Sequence, residues 1–383
     1  MLQAAELRRS GLHQGQGDKM KQHESQLTPR RRVELALHKK LSSRVPFTVY
    51  DSMVPQCSAE RAMRNRGLCI LKRMGVFAAH SPNVKVRSEV YWQSGRQMTR
   101  TRYETPAGNL ETLQEAADFT TWMHERMFKS PDDYKALLFL IKDEVYEPDY
   151  AAFADAEKDF GEDAIFRAGF GLEPLQALIS GCYMDTATFC MEWMDRRDDI
   201  LMLYDALVEK RRQVYALVAQ SPAGHANYGG NVVPEIIGLK TFEEYYVPHY
   251  NEAADIMHRH GKLIGCHFDA NCKLLAKAIA GTGLDYIEAF TPAPDTDMTL
   301  AEARAAWPDK VLWLNFPSSV HLRGDTEVRQ VAMGLLDEAG RADGLIMGIT
   351  ENIPPRRWQG SCRAIMDGLE KHAAEHPGWY TPE

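Results

Sequence analysis

The chain has 383 residues, of which 44% are hydrophobic and 26% are charged, and its formal net charge is −8. These values are typical of a globular protein with a large core and exclude collagen-like, coiled-coil and wholly disordered chains. The negative charge argues against a nucleic acid held through its phosphates, and no apolar run approaches the roughly 18 residues of a membrane span. We therefore expect no nucleic acid and no membrane among the partners.

The beginning of the chain is polar. Residues 1–27 are rich in Gln, Gly, His and charged side chains, which predicts a flexible N-terminal arm without the apolar segment of a signal peptide. The seven cysteines are scattered and include no CxxC pair. Cysteines used in this way are typical of a reducing compartment, so we expect a cytoplasmic protein.

The next part of the chain mixes helical and β-rich segments. A basic helix opens at Thr28, and the alternating pattern of residues 83–111, interrupted by Gly-containing turns, predicts a hairpin meander. From residue 112 to 160 the pattern is helical. We interpret residues 28–160 as an elaboration that precedes most of a larger domain.

Beyond residue 163, short apolar runs alternate with longer helical segments. Strands that are apolar throughout are typical of parallel strands covered on both faces by helices. No G-x-G-x-x-G follows the first of them, which favours a closed barrel over a doubly wound open sheet. We predict an α/β protein with a (β/α)8 TIM barrel, as a single domain over 28–383 with most of the barrel over 161–383. Its predicted strands include 164–171, 262–269, 284–290, 310–316 and 344–350.

Polar side chains stand at the ends of two of these strands. His267 and Asp269 end the strand over 262–269, and their i, i+2 spacing directs both side chains to the same side. Glu351 follows the strand over 344–350. Because the carboxyl ends of barrel strands carry the chemistry, one imidazole and two carboxylates there indicate a divalent metal site with open coordination positions. Polar groups that merely hydrogen-bond in a cleft are the alternative.

Several segments resemble the uroporphyrinogen decarboxylase superfamily. The stretch KTFEEYYVPHYNEAADIMHRHGKLIGCHFDAN, followed by GLDYIEAFTP, carries the superfamily's aromatic and proline pattern, its strand ending in histidine and its G-x-D-x-I segment. Earlier matches are LTPRRRVELAL, RVPFTVYDSM and YETPAGNLET. The resemblance covers nearly the whole chain after residue 28 and implies a (β/α)8 barrel.

Within this superfamily, the chain is more similar to the cobamide-dependent methyltransferases than to the true decarboxylases. The methyltransferases bind zinc through an H-x-C pair and a later cysteine, and the matching residues here are His267, Asp269 and Glu351. Two carboxylates thus replace two thiolates without changing the formal charge. The resemblance implies a divalent metal, with zinc as the expected ion, and a corrinoid carried by a partner protein. It also implies a homodimer, a common state among such relatives.

The exchange of ligands has a chemical consequence. Carboxylates are harder donors than thiolates and leave the cation a stronger Lewis acid toward oxygen and nitrogen groups. We therefore predict a metal-dependent methyltransferase that moves a methyl group between a small O- or N-methylated substrate and the corrinoid.

Two other functions stay open. The decarboxylase branch binds its substrate carboxylates through an N-terminal arginine motif, and here Arg61 and Arg64 stand at that place without the motif. Asp51, at a strand end, is then a candidate for a pyrrole-binding aspartate. A cluster of inward arginines would favour this carboxy-lyase. The remaining alternative is a ligand-binding barrel without catalysis.

Further side chains are candidates for the site. Glu288 ends a strand, where it can be a general base, a further metal ligand or a structural hydrogen-bonding group. Asn271 can either cap the next helix or contact a ligand. His321 has the pattern of a surface-loop residue. The candidates are Glu288 and Asp51 as catalytic carboxylates, and Tyr228, Asn231, Asn271 and His321 as substrate-binding residues.

Overall fold

The computed structural model describes residues 27–117 and 120–380, so the predicted N-terminal arm lies outside the described residues except for Leu27. Eight parallel strands form a closed barrel, which confirms the predicted α/β barrel. The barrel strands are β1 (Phe47–Tyr50), β2 (Leu68–Arg73), β9 (Ala164–Gly169), β10 (His225–Asn227), β11 (Leu263–His267), β12 (Tyr286–Phe290), β13 (Val311–Leu314) and β14 (Leu345–Ile349). Their order around the barrel is β1-β14-β13-β12-β11-β10-β9-β2.

Helices surround these strands. The Thr28 side chain accepts a hydrogen bond from the backbone N–H of Arg31, which caps the first helix as its sequence predicts. The helices are α1 (Pro29–Leu37), α2 (Ser58–Asn65), α3 (Tyr134–Asp143), α4 (Ala151–Phe160), α5 (Pro174–Ser180), α6 (Thr186–Asp195), α7 (Arg197–Gln220), α8 (Pro234–Tyr245), α9 (Val247–Arg259), α10 (Ala276–Ala280), α11 (Leu300–Ala306), α12 (Asp325–Ala339) and α13 (Trp358–Glu375). Among the residues that the structure describes, no helix has the length and apolar character to cross a membrane.

The chain divides into two compact units. The described residues of unit 1 are 27–72, 157–166 and 286–380, and those of unit 2 are 73–117, 120–156 and 167–285. In unit 1, β1 pairs in parallel with both β2 and β14, and every residue of β1 is buried. Three of its four residues, Phe47, Val49 and Tyr50, are apolar, as is common in strands covered on both faces, and the fourth, Thr48, is buried as well.

Unit 2 carries antiparallel strands in addition to its barrel strands. The predicted meander is present as β4 (Lys85–Gln93), β5 (Arg96–Thr105) and β6 (Gly108–Ala117), and β7 (Thr120–Glu125) completes a four-stranded sheet. Two further strands, β3 (Phe77–His80) and β8 (Val145–Pro148), pair with each other.

The helix expected from residue 112 onward is therefore wrong for its first part, since β6 and β7 occupy it. Strand β6 pairs residue by residue with β5, and the Arg100 side chain on β5 pairs with Glu111 on β6. Leu110 and Thr112 are buried with the half-buried Glu111 between them, which is the two-residue period of a strand; the period ends at the buried Leu113, where the pairing with β7 shifts its register. The short apolar pattern of this segment is compatible with both a helix and a strand. Pairing with β5 makes it a strand. The helical expectation holds farther on, at α3.

Candidate functional site

In unit 2, the parallel strands β9, β10 and β11 end along one edge. Strand β11 ends at His267, whose Nε2 lies 3.3 Å from the Asp269 Oδ2. The two side chains keep 19% and 25% of their surface exposed, so solutes can reach both. Two of the three predicted metal ligands thus lie side by side, as their i, i+2 spacing indicates.

The donor set of this pair fits a divalent cation. Nitrogen and oxygen ligands bound to one zinc ion at about 2.0–2.2 Å stand roughly 3.3 Å apart in a tetrahedral shell. The separation of 3.3 Å between His267 and Asp269 is therefore compatible with a shared ion, and equally with a direct imidazole–carboxylate contact. Glu351 belongs to unit 1, where it accepts a hydrogen bond from Ser318, and its role as the third ligand stays a prediction.

The loop after β10 approaches two side chains so closely that only glycine fits. Gly229 and Gly230 have φ values of +67° and +144°. A Cβ atom on Gly229 would stand 1.8 Å from the Glu173 Cδ, and one on Gly230 would stand 2.9 Å from the His267 Cβ. Turn geometry explains part of the glycine pair, and close contact with these two residues explains the rest.

Glu173, which precedes α5, is the functional candidate that the sequence does not reveal. It is fully buried, and its carboxylate accepts hydrogen bonds from the Tyr250 hydroxyl and, at 3.3 Å, from the backbone N–H of Gly230. Burial raises its pKa to about 7, against the lowering effect of the Tyr250 hydrogen bond. The carboxyl therefore changes protonation near neutral pH. A glutamate before a proline otherwise has the pattern of an ordinary helix start.

The Cys266 thiol belongs to the same buried group. Its Sγ lies 3.7 Å from the Glu173 Oε1 and 3.6 Å from the Tyr250 hydroxyl. Because side chains alternate along a strand, Cys266 and His267 point to opposite faces of β11. Glu173 thus lies behind the strand that carries His267.

Three predicted substrate-binding residues of unit 2 have partners within the protein. The Tyr228 hydroxyl, fully buried, lies 2.7 Å from the Tyr215 hydroxyl. The backbone carbonyl of Asn231 accepts a hydrogen bond from Gln176, and the Asn231 side chain is exposed. Asn271 is not a helix cap. Its amide donates to Glu235 at 2.7 Å, and Cys272 is the residue that precedes the next helical turn.

In unit 1, Glu288 lies in the middle of β12 and is fully buried, so the strand-end position expected from the sequence is wrong. It accepts a hydrogen bond of 2.5 Å from the Tyr50 hydroxyl at the end of β1. The Tyr50 hydroxyl satisfies part of the hydrogen-bonding capacity of the Glu288 carboxylate. Of the roles considered from the sequence, this contact is that of a structural hydrogen-bonding group. Its catalytic role stays a prediction.

Asp51, the other predicted catalytic carboxylate, borders a cavity of about 520 Å³ within unit 1. It pairs at 2.6 Å with Lys72 from the end of β2. Arg61 and Arg64 also line the cavity, and Arg64 is paired there with Glu60 and Asp163. Four carboxylates and three basic side chains face this space, so its formal charge is close to neutral.

The surface position expected for His321 is wrong. The residue is 1% exposed, packs against the ring of Phe316, and its Nδ1 lies 2.5 Å from the Ser361 hydroxyl. Burial lowers the pKa of His321 to about 4, so the imidazole is neutral at pH 7. Contact with a substrate stays a prediction for this residue.

No protein-family model and no curated protein matches the chain. Among solved structures, a similar one is described as the IOLI protein with a binding zinc atom. It is 11% identical, with a TM-score of 0.33, and the match covers 61% of this chain and 84% of that one. A similarity of this size carries no argument about activity, and the resemblance to the uroporphyrinogen decarboxylase superfamily stays a prediction.

Proposed function

We propose that this barrel is a metal-dependent methyltransferase that binds its metal through His267 and Asp269. It would move a methyl group between a small O- or N-methylated substrate and a corrinoid held by a partner protein. The observation that carries the proposal is the imidazole–carboxylate pair, 3.3 Å apart and partly exposed, at the carboxyl end of β11. In barrels of this type that end of the strands bears the reactive groups.

The residues of the pair have complementary tasks. When bound, a divalent cation supplies Lewis-acid polarisation of an ether oxygen or an amine nitrogen. The neutral imidazole of His267 and the carboxylate of Asp269 hold the cation, and together they contribute one negative charge. This leaves net positive charge at the site, as the polarisation of an oxygen or nitrogen atom requires.

Glu173 is best assigned as a positioning residue. It is fully buried on the far side of β11 from His267, so it does not touch a substrate. Its carboxylate holds the N–H of Gly230, and the backbone of Gly230 in turn lies against the Cβ of His267. Through this contact the loop limits the positions that the imidazole can take.

A second candidate function is a carboxy-lyase that acts on an acidic substrate. Its supporting observation is the cavity of unit 1, which Arg61, Arg64 and Lys72 line. Arg64 and Lys72 are already paired with carboxylates of the same cavity. A substrate with several carboxylates needs cations that are not neutralised by the protein, so we favour the methyltransferase.

The test compares two histidines that each pair with an aspartate. His267→Ala removes the proposed ligand, whereas His258→Ala breaks an exposed pair with Asp285, 2.9 Å apart, at a helix end in the same unit. We expect His267→Ala to lose one equivalent of bound zinc. We also expect it to lose methyl transfer from methoxy or methylamine compounds to free reduced cobalamin. His258→Ala should keep both.

Other outcomes separate the alternatives. Unchanged zinc content and unchanged methyl transfer in His267→Ala would contradict the proposal. Carbon dioxide release from an acidic substrate, lost in Arg61→Ala but not in His267→Ala, would support the carboxy-lyase. Ligand binding without turnover of either class would support the non-catalytic barrel.

A further inference from the structure

Two histidines and one aspartate meet in unit 1 where α12 and α13 end. Asp337 lies in the last turn of α12, His372 lies in the last turn of α13, and His376 directly follows α13. The Nε2 atoms of His372 and His376 lie 3.1 Å and 3.9 Å from the same oxygen of Asp337. The three potential ligand atoms all lie within 4.8 Å of one another.

These separations suit a single transition-metal ion. Nitrogen and oxygen ligands about 2.0–2.1 Å from a tetrahedral zinc stand roughly 3.3 Å apart. The distances of 3.1 Å and 3.9 Å from Asp337 bracket that value, so small rotations of exposed side chains complete the geometry. The His372 and His376 spacing of four residues places both imidazoles on one side of the helix end.

The ring of His372 is already oriented by a neighbour on its other side. Its side chain is fully buried, and its Nδ1 lies 2.7 Å from the Tyr380 hydroxyl. A hydroxyl can accept the Nδ1 proton, and that tautomer leaves the Nε2 lone pair directed toward Asp337. Metal-bound histidines in proteins characteristically have such a partner at the second ring nitrogen.

The backbone also favours a cation at this place. Helices α12 and α13 have 15 and 18 residues, and both present their C-terminal ends to the cluster. The free carbonyl groups of a helix C-terminus carry partial negative charge and stabilise a nearby cation. The side chains of Asp337 and His376 are 60% and 40% exposed, so an ion can enter from solvent.

We propose that Asp337, His372 and His376 form a second metal site that binds zinc or a similar divalent transition metal. The ion has three protein ligands, a water molecule in the fourth position, and a structural role in joining the ends of α12 and α13. The alternative is a hydrogen bond between His372 and Asp337 with the His376 ring stacked beside it, at a centroid separation of 4.4 Å, and no affinity for metals. The site is independent of the methyltransferase proposal.

The experiment uses the full chain carrying His267→Ala, so that the methyltransferase site contributes no metal. We expect one equivalent of Co²⁺ to bind with the visible absorption bands of a tetrahedral site. Saturating Zn²⁺ at about a hundredfold excess over Kd should raise Tm by roughly 3–5 °C. Adding His376→Gln should weaken binding at least tenfold, and at the same Zn²⁺ concentration the rise in Tm should fall to about half or less.

The matched control is His38→Gln, which replaces an exposed histidine at the C-terminal end of α1 in the same unit. It should leave the binding and the rise in Tm unchanged. If the His267→Ala chain binds no metal, or if His376→Gln binds as tightly as its parent, the second site does not exist. If His267→Ala binds as much metal as the unmodified chain while His376→Gln removes one equivalent, the second site stands and the methyltransferase site fails.

Discussion

The carboxyl group of Glu173 occupies the space that a side chain on Gly229 would need. A Cβ there would stand 1.8 Å from the carboxyl carbon, well inside the contact distance of any two atoms. Because Glu173 is fully buried, it has no solvent-filled space into which it can turn. The loop next to His267 can therefore adopt its conformation only because residue 229 is a glycine, which has no Cβ atom.

Gly229→Ala should therefore destabilise the protein strongly. The substitution combines a steric overlap with a positive φ of +67°, and we expect a loss of roughly 3 kcal/mol or more in the free energy of unfolding. Urea denaturation followed by circular dichroism measures this loss. Gly224→Ala is the control, because a Cβ on Gly224 meets no atom within 4 Å. Equal stabilities of the two variants would contradict the packing described for Glu173.

The raised pKa of Glu173 predicts a pH dependence of stability. The carboxyl takes up its proton with a pKa of about 7 in the folded chain and 4.5 in the unfolded chain. Its stabilising effect is complete below pH 4.5 and is lost as the pH rises to about 7, with a total of about 3 kcal/mol. Glu173→Gln cannot titrate, so its stability relative to the unmodified chain should increase between pH 5 and 7. A constant difference over that range would show that Glu173 has an ordinary pKa.

The buried contact between Tyr50 and Glu288 is the basis of another prediction. Tyr50→Phe removes the hydroxyl that donates to Glu288 and leaves a fully buried carboxylate oxygen without this donor. We expect a loss of about 1–3 kcal/mol in the free energy of unfolding, measured by chemical denaturation. Tyr91→Phe is the control, since it removes a half-buried hydroxyl on β4 in the other unit, where water can replace the contact that this hydroxyl makes with Arg100. A loss in Tyr50→Phe no larger than in the control would mean that the contact contributes nothing to stability.

The lowered pKa of His321 predicts a pH dependence of stability whose sign is opposite to that of Glu173. Burial lowers its pKa from 6.5 to about 4, so the folded chain binds a proton there less readily than the unfolded chain. The associated stability is present above pH 6.5 and is lost as the pH falls through 4. His321→Gln should be destabilised at pH 7 and should lose less stability than the unmodified chain between pH 6.5 and 4. Parallel stability curves for the two proteins over that interval would contradict a lowered pKa.

Most of the barrel could be predicted because its strands are buried on both faces. Strands β1, β12, β13 and β14 are buried at every position, and their sequences are mostly apolar, with Thr48 in β1 and Glu288 in β12 as polar exceptions. Strand β2 is less evident, because only four apolar residues precede Lys72 and Arg73. From residue 112 the sequence predicts a helix where the structure has the rest of β6 and β7, because pairing with the neighbouring strands of the sheet, rather than local preference, determines this segment.

The candidate site was predictable only where neighbours in sequence are neighbours in space. His267 is the last residue of β11 and Asp269 follows two residues later, so closeness in the sequence is enough to bring them together. Glu173 gives no such signal, since its partners Gly230, Tyr250 and Cys266 are far from it in the chain. Its raised pKa results from complete burial, which is a property of the tertiary structure.

Unit 1 consists of three separate segments of the chain, and this has a consequence for folding during translation. Strand β1 near the N-terminus pairs with β14 near the C-terminus, with Phe47 opposite Met347. During translation β1 therefore leaves the ribosome long before β14 exists, and the backbone N–H and C=O groups on that edge stay unpaired until then. Contacts of such long range form slowly, so nascent chains of this protein should depend on chaperones that shield exposed strands.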